Sequence, residues 1–313
     1  MREIPTGVIG VGHLGSIHAR ILSEMPGSRL AGVHDIDTAR GEAVARQYGT
    51  VHHQTLGSLL DACEAVVVAV PTRDHHSTAR RVLERGCHAL VEKPFTSTLD
   101  EADDLIALAE NAALTLAVGH VERFNAVFRS CQEYLDSPRF VESLRVAPYQ
   151  LRGTDVTVVL DLMIHDIDLV LGLVRSPVST LNAVGVSVLS GSIDIANARL
   201  VFESGAVANI TASRVAMERR RRLRLFQRSG FLHLDLAAGR GEFLRLREDR
   251  EDATSMHEAV DHIALSGDDG EPLRLEQEAF LGAVRGESTG VVSGREGRDA
   301  LKVAIDITCQ IEE

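Results

Sequence analysis

Cysteine is scarce and scattered. The four residues, Cys63, Cys87, Cys131 and Cys309, lie at least 24 positions apart with no CxxC pair. Neither a zinc knuckle nor a redox dithiol is therefore signalled, and thiols spread through a long chain suit a reducing compartment. Long apolar runs are missing too. The longest, residues 65–71, is far too short to span a bilayer. The opening MREIPTGVIGVGHLG has no basic segment followed by an extended apolar one, so no signal peptide is expected. Positive charge is in deficit: 33 Lys and Arg stand against 45 Asp and Glu, a net of −12. That balance argues against a nucleic-acid partner. The expectation is a cytoplasmic protein with neither nucleic acid nor membrane as partner.

What is present is ordinary globular material, 44% hydrophobic and 25% charged, enough for a large core. A length of 313 residues suggests about two domains. The first third alternates short apolar strands (6–11, 30–35, 65–70, 88–92, 115–118) with helical segments (13–25, 38–48, 56–62, 77–85, 99–111). Strand, helix, strand at this pace predicts a doubly wound parallel sheet. After about residue 121 the pattern changes. Residues 126–135 and 156–174 read as helical, and residues 180–247 read as consecutive strands of period 2 with glycine-bearing turns between them. Residues 249–272 read as loop, and 276–284 and 296–311 as closing helices. The fold class is thus α/β: an N-terminal Rossmann domain over residues 1–121, then an α+β domain over 122–313 with a large, mostly antiparallel sheet.

Gly10-Val11-Gly12-His13-Leu14-Gly15 fits GxGxxG between a strand and a helix. In a dinucleotide site the first glycine makes the tight turn and the second lets backbone approach pyrophosphate. The third lets helix pack on strand, and the helix N-terminus meets the phosphate charge. Asp35 follows Gly15 by 20 residues, at the end of the second strand, where a carboxylate accepts from ribose hydroxyls. It repels a 2′-phosphate, so NAD is favoured over NADP, although Arg40 nearby offers a countercharge.

Glu92-Lys93-Pro94 closes a strand of the parallel sheet. Proline ends the ladder and keeps Lys93 out of α geometry, at the carboxyl edge where open α/β sheets bind ligands. Spacing leaves two readings open there: an acid, base or alkoxide stabiliser, or a surface lysine at a loop start. Residues 160–169, LDLMIHDIDL, are apolar enough for a mostly buried helix yet carry three carboxylates and His165. Asp161 and His165 are i and i+4, and Asp168 is i+3 from His165, so the three share a face. A proton acceptor tuned by a carboxylate, an internally satisfied His–Asp pair and a divalent-metal site all remain open from spacing. No metal is expected, because no further His or Cys cluster supports one.

In order along the chain, GVGHLG, AVVVAVPT with His75 three residues on, Glu92-Lys93-Pro94, Asp161-x-x-x-His165-x-x-Asp168 and the closing 276–301 pattern make a specific match. The chain resembles the glucose–fructose oxidoreductase / inositol dehydrogenase (Gfo/Idh/MocA) superfamily of NAD(P)-dependent sugar dehydrogenases, over essentially its whole length. That resemblance implies catalytic roles for Lys93, Asp161 and His165. It implies a cofactor site at Gly10, Gly12, His13, Leu14, Gly15, Asp35, Val70, Pro71, Thr72, His75, Glu92 and Lys93, with the nicotinamide near Lys93. GHVERFN at 119–125, RGTDV at 152–156 and DIANAR at 194–199 look like the branch that oxidises the 3-hydroxyl of UDP-N-acetylglucosamine. A pyridoxal-phosphate aminotransferase then makes the amine for diamino-sugar lipid A. The branch implies substrate contacts from Glu122, Arg123, Asn125, Arg152, Asp161 and His165. Where it has Pro after Phe-Asn this chain has Ala126, which puts the loop's shape in doubt and not its chemistry. For the two phosphates of a nucleotide sugar, Arg123, Arg152, Arg214 and the run 219–222 are candidates, the run reading better as a solvated strand face. A homodimer or homotetramer through the C-terminal sheet is expected by analogy. The rivals are another sugar or inositol dehydrogenase and a non-catalytic dinucleotide-sensing protein. A sensor has no use for the catalytic trio.

Overall fold

The computed structural model describes residues 2–149, 156–247, 255–267 and 270–312. The chain forms two units, one of Met1–Val121 with Glu271–Leu301 and one of Glu122–Gly270 with Lys302–Glu313.

In the first unit, strands β1 (Ile4–Ile9), β2 (Ser28–His34), β3 (Ala65–Val68), β4 (His88–Glu92) and β5 (Leu116–Gly119) alternate with helices. These are α1 (His13–Glu24), α2 (Thr38–Gln47), α3 (Leu56–Leu60), α4 (His75–Glu84) and α5 (Leu99–Asn111). The strands are parallel, in the order β2-β1-β3-β4-β5. A one-residue parallel bridge from His52 to Val33 extends the far side of β2. The winding therefore reverses between β1 and β3, which opens a crevice at their carboxyl ends. All four residues of β3 are buried, as a β-branched run covered on both faces must be. Side-chain caps fix the helix starts: Asp37 accepts from the Arg40 N–H, and Thr98 and Glu101 form a capping box on α5.

The second unit holds α6 (Ala126–Ser130), β6 (Phe140–Val146), a π-helical turn at Val159–Met163 and α7 (Ile164–Val174). Seven further strands follow: β7 (Val178–Val186), β8 (Ile195–Phe202), β9 (Val207–Ser213), β10 (Arg220–Gln227), β11 (Gly230–Asp235), β12 (Arg240–Leu246) and, after the short α8 (Met256–Ala259), β13 (Val260–Ser266). The sheet order is β13-β12-β11-β10-β6-β9-β8-β7. Its neighbours are antiparallel except β6 and β9, which run parallel. Two strands, β6 and β13, were not expected from the pattern. The inner face of β6 carries Ser143 and Arg145 beside Val141, so its buried positions read as polar. The β13 strand lies at the sheet edge, where few of its residues are buried and alternation is weak.

The final stretch corrects the expected second domain of 122–313. After α9 (Pro272–Val284), the last helix α10 (Gly294–Glu312) begins, and residues 271–301 belong to the first unit. The cause is apolar burial. Phe280 and Leu281, each 1% exposed, join the core cluster of Ile4, Val8 and Leu90. Burying such a side chain is worth roughly 1.5–3 kcal/mol.

Candidate functional site

The glycine loop follows β1. Gly10 has φ of +80°, and a Cβ there would lie 2.7 Å from the Ala69 carbonyl oxygen. A Cβ on Gly15 would lie 1.8 Å from the Gly10 carbonyl oxygen, so only glycine lets α1 start this close to the strand. Gly12 is the N-cap of α1 and no side chain caps that end. Space beside Gly12 is open: among the described residues a Cβ there would meet only Arg40 Nη1, at 3.9 Å. The first N–H groups of the helix are thus available to an anion, and the macrodipole favours one there. His13 and Leu14 are exposed on that turn. Asp35 is buried just past β2; its Oδ2 accepts from the Val11 N–H at 2.8 Å and its Oδ1 from the Asp37 N–H at 2.8 Å. The carboxylate is thus locked to the glycine loop. Arg40 donates to Asp37 at 2.9 Å and stands 3.9 Å from Asp35. Glycines that a side chain would destroy, an open helix end and an oriented carboxylate together fit a dinucleotide.

The same edge of the sheet carries Glu92, Lys93 and Pro94. Lys93 is half-buried directly after β4. Beyond β3, Val70 and Pro71 lead into a 3-10 turn at Thr72–Asp74, and buried His75 opens α4. The His75 ring contacts the Pro94 carbonyl through Nδ1 at 2.8 Å and the Val70 carbonyl through Nε2 at 2.9 Å. It staples the loop after β3 to the loop after β4, so the structure assigns it a framework task. Glu92 is buried, and its Oε1 accepts from His18 Nε2 at 2.7 Å. His18, on α1, was not singled out from the sequence, nor was its partner Gln277, 259 positions away.

In the second unit Asp161 lies in the π-helical turn and His165 in the first turn of α7. The sequence predicts one uninterrupted α-helix there; the structure widens its start by one residue per turn. Such turns recur at functional positions. Asp161 and His165 are half-buried, while Met163 and Ile164 between them are fully covered.

The other predicted substrate residues have internal partners. Asp168, expected beside His165, takes Arg123 in a two-pronged bond, Nε to Oδ2 at 2.8 Å and Nη2 to Oδ1 at 2.7 Å. Gly172 leaves room for that guanidinium: a Cβ would lie 3.3 Å from its Cζ. Buried Glu122 accepts from Arg145 at 3.0 Å and from Arg221 at 2.7 Å. Arg145 also binds Asp166, whose Oδ1 accepts from Ser143 at 2.6 Å. Asn125 caps α6, accepting from the Val127 N–H at 3.2 Å and donating to the Leu236 carbonyl at 2.9 Å. Arg214, a candidate for phosphate, is buried against the Val156 and Ile193 carbonyls and lies 3.6 Å from Asp194. Arg152 lies outside the described residues. Glu122, Arg123 and Asn125 thus each have internal partners, and a charge matched by a buried carboxylate is partly answered before any ligand arrives. Arg145 escaped sequence reading because it looks like an ordinary surface charge until its strand packs, and Asp166, one of the three carboxylates of the predicted buried helix, could not be paired with it from spacing. Among the described residues no cluster of three His, Cys, Asp or Glu side chains could hold a metal ion. No helix among them is long and apolar enough to cross a membrane.

Residues 4–120 match the model of the oxidoreductase family with an NAD-binding Rossmann fold, and residues 117–233 that of the GFO/IDH/MocA C-terminal domain. The chain is 33% identical to UDP-N-acetylglucosamine 3-dehydrogenase of Acidithiobacillus ferrooxidans, over 100% of this chain and 98% of that protein. A solved structure of that enzyme superposes with a TM-score of 0.92 at 34% identity, covering 100% of this chain and 99% of the other. The chain is also 25% identical to scyllo-inositol 2-dehydrogenase (NAD(+)) of Bacillus subtilis, over 68% of each. A protein from gentamicin A biosynthesis, solved in complex with NAD, shares the fold with a TM-score of 0.83 at 20% identity, over 100% of this chain and 95% of that one.

Proposed function

Since the chain belongs to the GFO/IDH/MocA oxidoreductases, we propose that it oxidises the 3-hydroxyl of UDP-N-acetylglucosamine to the 3-keto sugar, with NAD preferred over NADP. The observation that carries this reading is the likeness to the Acidithiobacillus enzyme across the full length of both chains. Gly10, Gly12, Gly15 and Asp35 hold the dinucleotide; Val70, Pro71 and Thr72 flank it after β3. When bound, that cofactor supplies the hydride acceptor for the sugar C3–H. Lys93 places positive charge against the alkoxide that develops as the hydroxyl is oxidised. His165, or Lys93 itself, takes the hydroxyl proton, a role worth roughly 10²–10⁴ in rate. Asp161 orients His165 or binds a neighbouring hydroxyl. The keto product is a substrate for a pyridoxal-phosphate aminotransferase, as in diamino-sugar lipid A synthesis. The sheet face carrying Val184 (68% exposed), Val186 and Ile195 supports a homodimer or homotetramer.

A second reading, oxidation of inositol or a free sugar, is favoured by the likeness to the Bacillus inositol dehydrogenase. Both are tested by mixing protein and NAD with UDP-N-acetylglucosamine, inositol and free sugars, with a ketone trap, and following the reduced nicotinamide. Signal with inositol but not with the nucleotide sugar overturns the substrate assignment. For the catalytic assignment, Lys93→Ala is expected to abolish turnover while dinucleotide binding persists. Near-normal turnover refutes it.

A further inference from the structure

Within the second unit, helix α7 is gripped at two points beside His165. From Met163 to Val170 every side chain is buried except that of His165. The next residue, Asp166, is 1% exposed; its Oδ1 accepts from the Ser143 hydroxyl at 2.6 Å and its Oδ2 from Arg145 Nε. Arg145, on β6, is held from its other side by Glu122 at 3.0 Å. Asp168 is equally buried and takes both prongs of Arg123, which stands in the 3-10 turn Val121–Phe124. At about 100° per residue around an α-helix, Asp166 stands about 100° to one side of His165 and Asp168 about 60° to the other. The two anchors therefore flank the imidazole around the helix circumference. One anchor is a pivot; two, tied to different supports, stop the helix from turning about its axis. Gly172, one turn beyond Asp168, completes the seat. A Cβ there would lie 3.3 Å from Arg123 Cζ, so the guanidinium lies close against the helix.

We propose that Arg123 and Arg145 are positioning residues for His165: by gripping Asp168 and Asp166 they fix the rotation of α7 and so the angle at which the imidazole meets the substrate. The inference rests on the proton-accepting role proposed for His165. Stability alone does not account for the two grips. A buried ion pair is often no more stabilising than an apolar pair of similar volume. What a two-pronged guanidinium–carboxylate bond adds is direction, since both atoms of the fork must meet both oxygens. Direction matters at a proton acceptor, where a misplacement of about 1 Å costs on the order of 100-fold in rate. An apolar contact would hold the helix down equally well but let it slide and turn.

The test is steady-state kinetics of the full chain, with NAD and whichever sugar the wild type oxidises, beside crystal structures of the variants. Arg123→Lys keeps the charge and loses the fork. It is expected to lower kcat about 10- to 100-fold, with the KM values for sugar and NAD little changed. A raised sugar KM at unchanged kcat makes Arg123 a ligand contact and overturns the proposal. In His165→Ala there is no imidazole left to aim, so adding Arg123→Lys is expected to leave the residual rate as it was. An equal fold loss in both backgrounds is general damage and overturns it too. If Arg123→Lys does not fold, Arg145→Met with Asp166→Leu serves instead, because it leaves no charge buried. That double variant is expected to regain its melting temperature while kcat stays low; recovery of both refutes a directional role. In the Arg123→Lys crystal structure α7 is expected to be turned and the His165 ring displaced. A ring in its wild-type place overturns the proposal whatever the sugar. Near-normal turnover of His165→Ala removes the catalytic reading of His165 and the inference with it. Near-normal turnover of Arg123→Lys in a protein that needs His165 removes the inference alone.

Discussion

The two units treat charge in opposite ways. At the carboxyl edge of the parallel sheet, the first N–H groups of α1 have no side-chain cap, and Lys93 is half-buried at a strand end. Under the large sheet of the second unit, charges are closed in on one another. Arg145 is 3% exposed between Asp166 and Glu122, and Arg123 is clasped by Asp168. Residues that match a family pattern thus divide into those clasped by buried internal partners and those left half-buried at a strand end or helix start. Only packing tells them apart. Asp161 and His165, in the second unit, are half-buried.

The largest effect is expected from breaking the closed network. Asp166→Ala leaves Arg145 buried with half its counter-charge gone, and is expected to cost about 3–5 kcal/mol in urea unfolding. Replacing both partners, Arg145→Met with Asp166→Leu, is expected to recover most of that loss, because no charge is then left buried. If the single and double variants are equally unstable, the network acts through something other than uncompensated charge.

The open edge is expected to break differently. In Gly15→Ala the new methyl overlaps the Gly10 carbonyl oxygen, so loop and helix must separate. Dinucleotide affinity is expected to fall on the order of 100-fold by calorimetry, about 2.8 kcal/mol. Unfolding of the second unit should be little changed. A variant that binds the dinucleotide normally would remove the glycine loop from the site.

Asp194 sharpens the contrast, since it is a fully buried carboxylate with no part in any proposed site. Burial pushes its carboxyl up, but the Ser190 hydroxyl and the N–H groups of residues 188–190 outweigh it and hold the group well below the usual range. A depressed folded value contributes stability above the unfolded value and loses it as pH falls through the folded one. Asp194→Asn is expected to cost about 2 kcal/mol near pH 7. The gap from wild type should hold down to about pH 4 and close below it. A gap that is independent of pH in thermal melts would contradict the charge-based account.

How much was legible in the sequence follows from the same division. GxGxxG, Asp35 and Glu92-Lys93-Pro94 are local signals, since strand, turn and helix start are set by neighbours within a few residues. The fully buried β3 and the capped α5 read directly for the same reason. His18 with Gln277, Arg145 with Asp166, and Arg123 with Asp168 are pairs made only by tertiary contact, and neither partner advertises the other. The two unexpected strands are hidden likewise, because β6 turns Ser143 and Arg145 inward. The return of residues 271–301 to the first unit was illegible from periodicity: an amphipathic helix states that it buries a face, not which core receives it.

The smallest effect is expected at Arg40, which stands on the open edge but is nearly half exposed and bonded to Asp37. An exposed pair of this kind contributes little, so Arg40→Ala is expected to change stability by less than about 0.5 kcal/mol. Its interest lies in cofactor choice. With the cofactor placed as proposed, Asp35 would repel a 2′-phosphate, while a guanidinium 3.9 Å from that carboxylate would offer such a group a countercharge. Removing one charge-assisted bond is expected to raise the KM for NADP by up to about tenfold, near 1.4 kcal/mol, and to leave the KM for NAD unchanged. Steady-state kinetics with both dinucleotides decides the matter. An equal rise for the two would mean that Arg40 supports the α2 start and the Asp35 loop, and so belongs with the framework charges of the second unit.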